Sequence, residues 1–190
     1  MGQYYTPVLL TADNKIKNFE THHYENGAKL MEHSYIGNNL VAAVLDQLVS
    51  APHQVLWLGD YAEMEDLSFK YEDISSDWMK EMYSSISNIQ PDHENQKWRY
   101  NNAYVINYDK NCYLRLEEND PERYQVCPLC LLTAVGNGRG GGDYFGTHKN
   151  LVGIWAGDRI SVEFEFPEEC ADMTDITALY GNSDFWKEDI

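Results

Sequence analysis

The chain has 190 residues and a mass of 22.0 kDa, one domain's length with room for a sizeable core. Hydrophobic residues at 43% and charged residues at 24% exclude a disordered or collagen-like chain. With 31 acidic side chains against 14 basic ones, the net charge of −17 argues against nonspecific binding to nucleic acid or to an anionic membrane.

In chain order, Gln3 to Thr11 reads as a strand, residues 12–15 as a turn, and Ile16 to His22 as a return strand. Ala28 to Ser34 is a short helical turn. Asn38 or Asn39 caps a helix whose stripe is Leu40, Val41, Val44, Leu45 and Leu48, ending near Ser50. Gln54 to Leu58 is a short apolar strand. Asp77 caps a second helix to about Ile86, and residues 87–102 form a polar loop. Tyr104–Tyr108 and Cys112–Leu116 flank Asp109-Lys110-Asn111 as a hairpin. Pro128 to Val135 reads as a short buried helix stopped by Gly136. A second hairpin is expected from Leu151 to Phe166, turning at Ala156-Gly157-Asp158. Its return strand alternates, with Ile160, Val162, Phe164 and Phe166 on one face and Ser161, Glu163 and Glu165 on the other. Asp175 caps a last short helix. Without regular βα alternation, the expectation is a single α+β domain over 1–190, with antiparallel hairpins, two clear helices and two short ones. Trp57-Leu58-Gly59-Asp60 and Trp155-Ala156-Gly157-Asp158 echo each other, though Gly-Asp is a common turn pair.

The longest nearly apolar stretch, 126–135, is far short of the ~20 residues that span a bilayer. The start has no basic region and no long apolar run, and four cysteines do not make a disulfide scaffold. A cytoplasmic protein is expected. Met1-Gly2-Gln3-Tyr4-Tyr5-Thr6 fits the N-myristoylation pattern, but no basic cluster follows to supply a second anchor, so no membrane partner is expected.

The acid is concentrated in two segments. Residues 60–77 hold seven acids and one lysine, and residues 160–190 hold nine acids and one lysine. Such concentration fits a docking face for a basic partner, because it steers association and penalises wrong partners. The residues expected to carry it are Asp60, Glu63, Glu65, Asp66, Glu163, Glu165, Glu168 and Glu169. One common face requires both segments on the same side of the fold.

The second candidate is the run 136–143. Glycines allow close approach and present successive N–H groups to an anion. Arg139 could clamp a phosphate or carboxylate, with Gly140, Gly141, Gly142 and Asp143 completing the site. The run is neither a P-loop nor a dinucleotide fingerprint, since no Gly-Lys-Ser/Thr ends it and a helix precedes it. The competing and preferred reading is a helix C-cap running into a mobile loop. Cys127-Pro128-Leu129-Cys130 has the spacing of half a zinc site, but its apolar neighbours favour two buried thiols. His22-His23 with Glu25 is one of two histidine clusters and has no zincin spacing. No cofactor is expected.

Three segments, Met1-Gly2-Gln3-Tyr4-Tyr5, residues 136–143 and Trp155 to Ile160, resemble a loose family of bacterial and phage proteins with no assigned activity. The resemblance implies a microbial or phage intracellular origin and transfers no catalytic residue. The leading expectation is an acidic, non-enzymatic interaction protein that binds a basic protein partner. With a phage-like origin, an inhibitor of a nucleic-acid-binding host protein is one concrete version. The alternative is an enzyme or small-ligand domain built on the glycine-rich loop.

Overall fold

The computed structural model describes residues 2–12, 15–24, 27–67, 70–71, 77, 80–81, 99–116 and 126–179. The architecture is mixed α and β, dominated by one eight-stranded sheet. Its strands are β1 (Tyr5–Leu10), β2 (Ile16–Asn18), β3 (His53–Gly59), β4 (Tyr104–Asn107), β5 (Cys112–Arg115), β6 (Ala134–Val135), β7 (Arg159–Glu163) and β8 (Thr174–Asp175). The spatial order is β2-β1-β3-β7-β4-β5-β8, with β6 beside β3. Most pairs are antiparallel, but β6 runs parallel to β3 and β8 parallel to β5.

β3 organises the sheet. One edge pairs with β1 from Gln54↔Leu10 to Gly59↔Tyr5. The other edge is shared. Its start pairs with β7 at His53↔Ile160, and its end with β6 at Leu58↔Val135. Alternation sends Val55 and Trp57 to one face and Leu56 and Leu58 to the other, and both faces are buried.

The first face is covered by α2 (Asn39–Ser50), preceded by the short α1 (Leu30–His33). Asn38 caps α2, its Oδ1 accepting from the Leu40 N–H at 2.8 Å and the Val41 N–H at 3.4 Å. The expected stripe is buried and joins Val55, Trp57, Val105, Ile160 and Val162 in one core. Val8, Leu10, Leu56, Leu58, Leu67, Val135 and Ala156 form a smaller core on the other face.

Four expectations are corrected. The return strand ends at Asn18, and Thr21–Tyr24 turn as a 3₁₀ helix that seats Tyr24 in the core. The helix α3 runs only from Pro128 to Leu132. The Thr133 hydroxyl bonds back to Leu129 O at 2.8 Å, while Thr133 O accepts from the Trp57 N–H at 2.8 Å and starts β6. The second hairpin is absent. Residues 151–157 fold as successive turns because their N–H groups satisfy the end of α3, with Gly153 N–H to Leu131 O at 3.0 Å and Trp155 N–H to Leu132 O at 2.7 Å. Finally, β7 is an interior strand rather than a half-exposed one. Ile160, Ser161 and Val162 are all buried between β3 and β4, and Phe164 lies beyond its end, 48% exposed. Asp77, Lys80 and Glu81 are helical; the rest of the second predicted helix lies outside the described residues.

Candidate functional site

The glycine-rich run is packed against the start of the chain. The Gln3 N–H donates to Gly141 O, and the Leu30 N–H to Gly142 O at 3.1 Å. Gly142 has φ of +94°, and a Cβ there would sit 2.9 Å from Gln3 O, so only glycine fits comfortably. Asp143 is buried beneath the run. Its Oδ1 accepts from the Tyr5 hydroxyl and its Oδ2 from the Gly140 N–H, each at 2.7 Å. Burial, then the bond to Asp143, drives the Tyr5 hydroxyl pKa up. Asn137 closes the loop on itself, its Oδ1 accepting from the Tyr144 N–H at 2.7 Å.

Arg139 joins this loop to the first acidic segment. Its Nη1 donates to Tyr61 O and its Nη2 to Asp66 Oδ1, each at 2.9 Å, with Glu63 Oε2 3.4 Å from Nη1. Two stretches singled out separately in the sequence are therefore one place in the fold. The guanidinium is held by the chain's own carboxylates, and an incoming anion must displace them. Asp60 accepts from the Tyr4 N–H at 3.0 Å, and Asp66 Oδ2 accepts from the Glu63 N–H at 2.8 Å. Glu65 is exposed.

The second acidic segment is elsewhere. Gln54 pairs with Arg159, after which β3 runs one way to Asp60 and β7 the other way to Glu163. At about 3.3 Å per residue, Asp60 and Glu163 are separated by roughly 30 Å along the sheet. The segments thus occupy opposite ends of the central strands and do not form one face. Glu165, Glu168 and Glu169 are exposed and Glu163 is half-buried. Between residues 160 and 179 there are six acids (Glu163, Glu165, Glu168, Glu169, Asp172, Asp175) and no lysine or arginine. Burial, then the charges of Glu169 and Glu163, push the Cys170 thiol up. Phe164 is stacked on Tyr100 with ring centroids 5.8 Å apart, and the Arg99 guanidinium lies over its ring, 5.7 Å from the centroid.

A cavity of about 320 Å³ opens beside the glycine-rich loop, lined by Asp66, Val135, Gly136, Asn137, Lys149 and Gly153 among others. Its walls come from β6 and the 149–153 turns, both set by pairing with distant parts of the chain.

Sequence reasoning also missed a partly buried ionic network centred on Asp158. Lys70 Nζ lies 2.7 Å from Asp158 Oδ1 and 2.9 Å from Asp109 Oδ2, and Asn107 Nδ2 donates to Asp158 Oδ2 at 2.9 Å. These contacts tie residue 70 to the β4–β5 turn and to the entry of β7. The one available signal was the Gly157-Asp158 pair, which reads as an ordinary turn.

Cys127 and Cys130 are fully buried free thiols at the start of α3. Burial drives the Cys130 thiol up, and its hydrogen bond to the Cys127 sulfur holds Cys127 down. Among the described residues no third ligand joins them. Also among the described residues, no helix is long and apolar enough to cross a membrane. No family model matches the chain, and neither the curated proteins nor the solved structures contain a significant match to it.

Proposed function

We propose that this chain is a single α+β domain that acts as an acidic interaction protein. Its docking surface is the end of the sheet beyond β7, formed by Glu163, Glu165, Glu168 and Glu169. The partner is a basic protein of the kind that binds nucleic acid. The observation that carries this reading is the contrast between the two acidic segments. Asp66 and Glu63 share one internal cation, Arg139, whereas residues 160–179 hold six acids and no lysine or arginine. Clustered exposed carboxylates steer a basic partner in and pair with its lysines and arginines.

The test is charge reversal at each end separately, with a fluorescent arginine-rich peptide as probe. E165K/E168K/E169K is expected to abolish binding, while D60K/E63K/E65K leaves most of it. Equal losses from both variants would mean that bulk charge alone is at work and would sink the proposal.

The cavity favours a second reading, a small-ligand domain in which Lys149 and Asn137 hold an anionic group beside the glycine-rich loop. A thermal-shift panel of phosphorylated and carboxylated metabolites separates the readings. A stabilising ligand whose effect disappears in Lys149→Ala supports the second.

A further inference from the structure

The turn that follows β2 carries a cluster with no part in the readings above. Glu20, His22 and His23 each offer one ligand atom, and the three atoms lie within 4.8 Å of one another. Glu20 Oε2 is 3.3 Å from His22 Nε2 and 3.3 Å from His23 Nε2. A tetrahedral Zn²⁺ with bonds of about 2.0–2.1 Å holds its ligand atoms about 3.3–3.4 Å apart. Two edges of that tetrahedron are therefore already set.

The local fold explains how adjacent histidines converge. In an extended strand, neighbouring side chains point to opposite faces. Here Thr21–Tyr24 form a 3₁₀ turn, closed by the His23 N–H to Glu20 O at 3.0 Å. The two imidazole rings lie 4.2 Å apart, centroid to centroid, with planes at 60°. Phe19 before the turn and Tyr24 at its end are buried in the main core, which fixes the turn while the histidines stay accessible.

We propose that Glu20, His22 and His23 form a surface site for a divalent transition-metal ion, zinc in the first instance. Two imidazole nitrogens and one carboxylate oxygen suit Zn²⁺, Cu²⁺ or Ni²⁺, whereas Ca²⁺ and Mg²⁺ prefer all-oxygen shells. Three protein ligands leave a fourth position for water or for a donor from another molecule.

The experiment is a calorimetric titration of the tag-free full chain with Zn²⁺ in a non-chelating buffer, alongside Ca²⁺. Cobalt(II) absorption reports whether the geometry is tetrahedral. The expected result is saturable uptake of one Zn²⁺ per chain, absent in H22A/H23A and weakened in E20Q, with no Ca²⁺ binding. Zinc should raise the melting temperature of the wild type and leave that of H22A/H23A unchanged. Zinc uptake that persists in H22A/H23A would place the ion elsewhere, the buried cysteines included, and overturn the proposal. So would the absence of saturable uptake, or Ca²⁺ binding as tight as that of Zn²⁺. A zinc-free melting temperature shared by variant and wild type confirms that the variant is folded.

Discussion

The Tyr5 hydroxyl donates to Asp143 Oδ1 across 138 residues of chain, so the first residue of β1 and the end of the glycine-rich loop share one buried polar bond. Removing the donor strands a carboxylate oxygen in the core. Tyr5→Phe is expected to cost about 1–3 kcal/mol, and Asp143→Ala more, since it also releases the Gly140 N–H. Urea unfolding measures both. A Tyr5→Phe variant as stable as the wild type would refute this account of the loop.

Gly142 tests the same packing from the backbone side. Gly142→Ala places a Cβ at φ of +94° against Gln3 O. A loss of about 1–3 kcal/mol is expected. Gly138 also has positive φ, at +94°, but nothing lies within 4 Å of its would-be Cβ. Gly138→Ala should therefore cost less, and the reverse order would contradict the packing argument.

Lys70 should set the stability limits at both ends of the pH scale. Partial burial pulls its pKa down, but the bonds to Asp158 and Asp109 outweigh this and raise it. Partial burial likewise pushes Asp109 up, and Lys70 with the Arg159 N–H outweighs that and lowers it. The lowered Asp109 contributes stability above about pH 3.9 that is lost as pH falls through its folded value. The raised Lys70 contributes stability below about pH 10.4 that is lost as pH rises through its folded value. Lys70→Met should flatten both losses. It should also cost about 2 kcal/mol near neutrality, less than a fully buried pair because Lys70 and Asp109 still meet solvent. Denaturation midpoints across pH settle it.

Binding of a basic peptide should weaken steeply with salt. Going from about 0.1 M to about 1 M shortens the Debye length from about 10 Å to about 3 Å. Association rates should fall more than dissociation rates rise. Salt-independent affinity would point to an apolar interface instead.

All four cysteines are buried, so their reaction with a thiol reagent should be limited by opening of the structure. Labelling of the native protein should be slow, and denatured protein should release four thiols per chain. Fast native labelling at Cys127 or Cys130 would show that the start of α3 opens readily.

The sequence disclosed what local periodicity controls. α2 was legible because Asn38 and five apolar positions at helical spacing act within twelve residues, and β4–β5 because Asp109 to Asn111 announce a turn. β6 was not, since Ala134–Val135 become a strand only by pairing with Trp57 and Leu58. Nor was the run 151–157, whose turns follow from carbonyls at Leu131 and Leu132. The W-x-G-D echo proved uninformative for the same reason. Asp60 ends exposed beside Tyr4, while Asp158 is buried against Lys70. Arg139 and Asp66, 73 residues apart, meet only because β1, β3 and β6 bring their loops to one end of the sheet.

Among the described residues, the outermost strands of the sheet are short, three residues in β2 and two in β8. A long bare margin invites another chain to add itself by backbone hydrogen bonds, the first step toward fibrils. Here each margin exposes only a few rungs of backbone, and the well-paired β1, β3, β7 and β4 lie inside. A visitor finds too little ladder to zip onto. Recognition of another molecule is thereby left to side chains, and concentrated solutions of this protein should resist ordered aggregation.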